Sequence, residues 1–227
     1  ALRGVDDTLT LPNFTVKTLS GDRAKHSRRD FELRLGAMEV RLSRQSQGNG
    51  WVGGDWVNQA ALLAPQFAQA KNYLTKPHIR ASVLDRVLKD LPTQGRLVIV
   101  AHSLGSVIAA DLVRRLPPDV DVVGMVTIGS PLAHPQFHVD KLASSLADPP
   151  ANLGWWVNFW NPADPVTTHK GVSSVFPWLL DQRVRTPVGP QAHGAVTYLS
   201  NEAVATAIGY GLIGSPAKAL AIVNKGL

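Results

Sequence analysis

The sequence predicts an α/β domain built on a parallel sheet, and three observations predict it. Leu97-Val98-Ile99-Val100-Ala101 is an unbroken apolar run, the mark of a strand covered on both faces. Val120 to Ile128 and Trp155 to Phe159 are two further buried-strand runs. Helical segments separate the three: Ser106 to Leu116, stopped by Pro117 and Pro118, and about Gln136 to Leu146. Parallel neighbours need long crossovers, so alternation of this kind argues for a parallel sheet with helices packed on it. With 227 residues, 44% of them hydrophobic, the chain is long enough for one core and short for two domains.

The first half is less regular. Residues 1 to 27 are mixed and turn-rich, with Pro12 and Gly21, and Phe14 to Leu19 is a candidate short strand. Arg28 to Arg44 carries two periods: Phe31, Leu33 and Leu35 alternate like a strand, whereas Phe31, Leu35, Met38 and Leu42 repeat like a helix. Only Val40 is β-branched and most of the rest are good helix formers, which favours the helix. Gly48, Gly50, Gly53 and Gly54 predict a flexible loop around Trp51. Asp55 is placed to cap a helix to about Tyr73, bent near Pro65, and another follows from about Arg80 to Leu91. After the third strand come a short polar strand at Arg183 to Arg185, a helical stretch through Tyr198, and a helix from Glu202 to Leu212.

Composition narrows the function classes. The formal charge is +6, but the basic group from Arg23 to Arg44 is interleaved with Asp30, Glu32 and Glu39 and has no aromatic stacking pattern. It reads as a solvated helix face, and no nucleic-acid partner is expected. Without cysteine there is no disulfide scaffold, thiolate metal site or thiol nucleophile. No His/Asp/Glu cluster has ligand spacing, so neither metal nor cofactor is expected. The sequence shows neither a transmembrane run nor a signal peptide, which makes a cytoplasmic location the expectation.

The chemistry centres on the end of the first buried strand, which reads Val100-Ala101-His102-Ser103-Leu104-Gly105-Ser106 and passes directly into a helix. A nucleophile elbow is a tight strand-turn-helix that strains its central serine and projects the hydroxyl above the sheet. Small residues are expected two before and two after, and Ala101 and Gly105 stand there, an A-x-S-x-G variant of G-x-S-x-G. The N–H of Leu104, at the helix start, would be one oxyanion donor. A plain strand-to-helix turn with an incidental serine is the competing reading.

A serine hydroxyl needs a histidine base and, as a rule, an acid that orients it. After elbows of this type the acid and then the histidine follow in the chain. Asp164 lies in Asn161-Pro162-Ala163-Asp164-Pro165, just beyond the third strand and on the rim where Ser103 is expected. Among the seven histidines, His26 and His78 precede the serine, His102 is inside the elbow, and His134 and His138 precede Asp164. His193, in Gln191-Ala192-His193-Gly194, is favoured as base over His169, only five residues beyond Asp164.

Taken together, Ala101-His102-Ser103-Leu104-Gly105, Thr127-Ile128-Gly129-Ser130-Pro131-Leu132, Trp156-Val157-Asn158, Asp164-Pro165-Val166 and His193 with Tyr198-Leu199 resemble a bacterial α/β-hydrolase. The likeness is to the lipase/esterase type, similar to class 3 lipases and inositol-deacylase-like serine hydrolases, over about residues 80 to 211. It implies a three-layer sandwich with a mostly parallel sheet as one domain over 1–227. Residues 1–79 form its helical and loop region and 212–227 its tail. It implies Ser103 as nucleophile, Asp164 as acid and His193 as base, acting on a small acyl ester or lipid. Thioester cleavage and acyl transfer use the same machinery. His102 and Ser130 are candidate substrate contacts, Gly129-Ser130-Pro131 being either a rim loop or a plain strand-ending turn.

The sequence departs from that pattern in one respect. Hydrolases of this kind have an earlier buried strand ending in His-Gly, whose following loop gives the second oxyanion N–H, and none precedes Ser103. Either the N-terminal strands of the fold are lacking, with which a start at Ala1 agrees, or the Gly48 to Gly54 loop substitutes. A catalytically weakened binding or interaction module is therefore the alternative function. The tryptophans 155, 156, 160 and 178 cluster with Phe159 and Phe176. Val172 to Leu180, with Phe176 and Trp178, is either core or an acyl-pocket wall or lid.

Overall fold

The computed structural model describes residues 22–43, 64–117, 119–139, 142–167, 170–185 and 187–213. The expected strand at Phe14 to Leu19, the Gly48 to Gly54 loop, the Asp55 cap and His169 lie outside these residues.

Four strands form one parallel sheet in the order β1 (Gly95–His102), β2 (Val120–Ile128), β3 (Trp156–Trp160) and β4 (Leu180–Arg183). Parallel strands in sequence order require a crossover at each step, and crossovers of one hand lie on one face. Helix α4 (Leu104–Val113) joins β1 to β2 there, and α2 (Ala64–Thr75) and α3 (Pro77–Asp90) share its apolar cluster with Met125, Trp156 and Phe176. On the opposite face α1 (Asp22–Ser43) and α7 (Glu202–Ile213) bury Met38, Leu42, Val204 and Ala207 against Val126, Ile128, Val157 and Phe159. The period-two alternation of β2 and β3 thus feeds two cores, one on each face. Gly124 lets the Trp155 ring lie flat on β2, since a Cβ there would stand 2.1 Å from that ring.

The predicted helix over residues 28–44 begins at Asp22, and that over 80–91 begins at Pro77, where proline costs no hydrogen bond in a first turn. Pro65 likewise sits in the first turn of α2, so it bends no described helix. Other expectations are corrected. The predicted helix over 136–146 is a 3-10 turn, Pro135–Phe137, and a single turn α5 (Leu142–Ser145). His138 between them is extended, with its Nε2 on the Leu132 carbonyl at 2.8 Å, and this break lets Phe137, Val139 and Leu142 all reach the core. The last strand runs Leu180–Arg183 instead of Arg183 to Arg185. Asp181 fixes its register by accepting from Asn158 Nδ2 and from the Val172 and Ser173 N–H groups at 2.7–3.0 Å. Finally, β1 is less covered than its apolar run predicts. Among the described residues it has a neighbour strand on one side only, and Val100 is 42% exposed.

Behind the sheet, Asp111 of α4 is fully buried and ties three helices together. Arg80 of α3 grips it with Nε at 2.6 Å and Nη2 at 3.0 Å, and the Tyr73 hydroxyl of α2 donates at 3.0 Å. Among the described residues no helix is long and apolar enough to cross a membrane.

Candidate active site

The register of the sheet brings three strand ends to one height. Ser103 N–H, just past β1, donates to the Ile128 carbonyl at 3.1 Å. Gly129 N–H, just past β2, donates to Phe159 at 3.1 Å, and Val184 N–H, just past β4, to Trp160 at 2.9 Å. Functional side chains set at these ends therefore share the carboxyl rim, where open α/β sheets place their ligands.

Ser103 has φ 52° and ψ −126°, the only non-glycine residue with positive φ among those described. That conformation costs on the order of 1–3 kcal/mol and persists only where surroundings impose it. Here they do. The chain must leave β1, whose last residue pairs with Ile128, and enter α4 at the next residue. Below the turn, Ser106 Oγ donates to the Ser103 carbonyl at 2.5 Å and Ser106 N–H to the same oxygen at 2.9 Å. Since that hydroxyl has one proton, the 2.6 Å contact between Ser106 and Ser130 must be a bond donated by Ser130. Among the described residues Gly105 has open space where a Cβ would stand, and Ala101, on the other side of the serine, is buried. Leu104 is the first residue of α4, and its N–H has no carbonyl four residues back to receive it.

His193, at the end of the 3-10 turn Pro190–His193, lies between the other two groups. Its Nε2 is 2.8 Å from Ser103 Oγ and its Nδ1 2.9 Å from Asp164 Oδ2. An ionised carboxylate only accepts, so Nδ1 carries the proton and Nε2 is left to accept from the serine. Asp164 is fully buried and His193 is 6% exposed. The burial is compensated: Asp164 Oδ1 accepts from Val166 N–H at 2.9 Å, and Oδ2 accepts also from the Tyr198 hydroxyl at 2.8 Å. Asp164 reaches this place on the turn after β3, which the 3-10 turn Pro165–Thr167 closes.

No protein-family model, curated protein or solved structure matches the chain.

The other predicted site residues are placed differently from one another. His102 turns its Nε2–H to the His193 carbonyl at 2.7 Å, with the two rings 4.6 Å apart. Burial, and then the neighbouring His193 ring, push its pKa down, which favours the neutral form. It is a tether from the elbow to the loop of the base, not a group held out for a substrate. Ser130 is 1% exposed and its oxygen is engaged by Ser106 and by Leu132 N–H at 3.2 Å, so its role is beneath the elbow. Phe176 has no exposed surface and packs on Trp156, Trp178 and His138 with centroids 5.6–6.2 Å apart. Trp178 donates to the Leu146 carbonyl and meets Phe31 of α1 edge-on. Phe176 belongs to the core of the α4 face, not to an open pocket wall, and half-buried Trp178 packs against that core. His138 and His134 stay out of the cluster, one on the Leu132 carbonyl and the other with Nδ1 buried and without a bond among the described residues. Among the described residues no group of three or more His, Cys, Asp or Glu side chains is placed to hold a metal.

Gly129, which the sequence places in a rim loop or a plain strand-ending turn, stands against the Asp164–His193 pair. Its φ is +56°, and a Cβ there would lie 3.0 Å from Asp164 Oδ2, 3.1 Å from the Tyr198 ring and 3.2 Å from His193 Nδ1. Gly129→Ala must therefore both adopt the left-handed conformation and push on the acid–base pair. It is expected to lose about 1–2 kcal/mol in urea unfolding from the backbone alone. It should also disturb the contact between Asp164 Oδ2 and His193 Nδ1, read as a shift of the Nδ1–H proton resonance. Wild-type values for both would show that the contact relaxes harmlessly.

Proposed function

We propose that the chain is a serine hydrolase of α/β-hydrolase fold that cleaves carboxylic esters through an acyl-enzyme intermediate. The observation that carries this reading is the unbroken chain Ser103 Oγ, His193 Nε2, His193 Nδ1, Asp164 Oδ2, begun on a residue held in a strained conformation. As Oγ attacks the ester carbonyl its proton passes to His193 Nε2, and the carbonyl electrons become an oxyanion facing the Leu104 N–H. Asp164 keeps the ring oriented and stabilises its cationic form. Collapse expels the alkoxide, which takes the proton from Nε2. Water, deprotonated by the same nitrogen, then attacks the acyl-enzyme and releases the acid and free Ser103. None of these steps draws on a cofactor. The substrate class is a small acyl ester or lipid. Thioesters, or an acceptor other than water, fit the same steps.

A second reading, a weakened hydrolase fold that binds without turnover, is favoured by one observation. No His-Gly strand end precedes Ser103 in the sequence to supply a second oxyanion N–H beside that of Leu104, and one missing donor costs about 10²- to 10³-fold in rate. A fluorophosphonate probe separates the two. The hydrolase reading expects stoichiometric labelling at Ser103 together with hydrolysis of short-chain p-nitrophenyl esters. Absence of both leaves the binding module.

A further inference from the structure

The Asp164–His193 pair is held by a group outside the three. We infer that the hydroxyl of Tyr198, between the Asn161 N–H and Asp164 Oδ2, is a positioning residue that keeps the catalytic carboxylate aimed at His193 Nδ1. The inference rests on the triad proposed above.

Tyr198 is on α6 (Ala195–Leu199), which starts two residues after His193, and its side chain has no exposed surface. Its oxygen accepts from Asn161 N–H at 3.0 Å and donates to Asp164 Oδ2 at 2.8 Å. The segment that bears the base is thereby fastened to the turn that bears the acid. Oδ2 stands between two donors, Tyr198 Oη and His193 Nδ1, while Oδ1 takes the Val166 N–H. Rotation of the carboxylate would break one of these bonds in a place that water does not reach, where a lost bond is costly. Burial, and then the charge of Asp164, push the ionisation of the Tyr198 phenol up, so it stays a donor. Gly129 closes the remaining side of the pair. His102, on the nucleophile's strand, fixes the same loop through the His193 carbonyl. The base is therefore tethered once to the nucleophile and once to the acid.

Tyr198→Phe keeps the ring and removes only the hydroxyl. It is expected to lower kcat about 10- to 100-fold, the rate equivalent of one hydrogen bond to a charged group, with KM within about twofold. The rate of fluorophosphonate labelling at Ser103 should fall by the same factor. The far-downfield proton NMR signal of His193 Nδ1–H should move or broaden. The control is Tyr210→Phe on α7, whose buried hydroxyl has no hydrogen-bond partner among the described residues, and which should match wild type in activity. Unchanged kcat, labelling rate and proton signal in Tyr198→Phe would overturn the inference and leave the triad standing, and so would a rise in KM alone. If wild type neither hydrolyses esters nor labels, the functional reading fails, and the Nδ1–H signal still decides the role of Tyr198. Should the variant not fold, the wild-type Tyr198 hydroxyl proton must show a cross-peak to His193 Nδ1–H, and its absence overturns the inference.

Discussion

Ser103→Ala is expected to lower ester hydrolysis by about 10⁶-fold, His193→Ala by about the same, and the double substitution by no more than either. The non-additivity follows from the geometry. His193 Nε2 has no task in the attack except to receive the Ser103 proton, and Ser103 is a poor nucleophile unless that nitrogen receives it. Once one is gone the other contributes nothing further, and what remains over the uncatalysed rate comes from binding and the oxyanion donor. Asp164→Asn should cost less, about 10⁴-fold, by a different route. The amide can offer its NH₂ to Nδ1 and so favour the tautomer in which Nε2 carries the proton and cannot accept from the serine. The measurement is kcat/KM for a p-nitrophenyl ester on each purified variant, with near-UV circular dichroism to verify folding. Multiplicative losses in the double variant would mean that the two side chains act independently, which the 2.8 Å contact argues against.

What could be read from the sequence was local, and what could not depended on partners far along the chain. The elbow is a strand, one strained residue and a helix in consecutive positions, so Val100 to Ser106 announces it, although Gly105 has open space among the described residues where a Cβ would stand. Asp164 and His193 were legible through their order and their place after strands, which puts them on the rim that parallel strands share. The orientation of His102, Ser130 and Phe176 was not. His102 Nε2 finds a carbonyl 91 residues away, and Ser130 a hydroxyl 24 residues away. An apolar loop containing Phe176 suits a core or a pocket equally well until Trp156 and His138, from two other segments, close over it. Tyr198 showed the same limit: the sequence sets it five residues past the histidine, among the residues that carry the resemblance and with no role attached, and only the fold sets its hydroxyl on the acid. The strand at Leu180–Arg183 was misplaced because its central Asp181 is a poor strand residue, retained by three hydrogen bonds to the preceding loop and β3.

The largest stability effect is expected away from the site, at Asp111. Burial alone would push its carboxyl up, but hydrogen bonds from Arg80 and Arg114 and the charges of Arg80 and Arg115 outweigh it and hold it well below the usual carboxylate range. Asp111→Ala removes the carboxylate that compensates Arg80, itself 5% exposed, and takes the partner from the Tyr73 hydroxyl. Breaking a buried pair from one side costs about 3–5 kcal/mol, which for a chain of this size lowers Tm by roughly 6–20 °C. The pH dependence has a definite sign. A carboxylate whose folded pKa is depressed contributes its full stability above the unfolded value of about 3.9 and loses it as pH falls toward the folded value. The gap between wild type and variant in urea unfolding should therefore be constant from pH 7 to 5 and narrow below about pH 4. A gap that stays constant down to pH 2.5 would assign the loss to packing. Arg80→Leu combined with Asp111→Leu should recover most of the stability, since an apolar pair avoids the desolvation of both charges. If the double variant stays as unstable as Asp111→Ala, the cluster's geometry, and not its charge balance, is what joins α2 and α3 to α4.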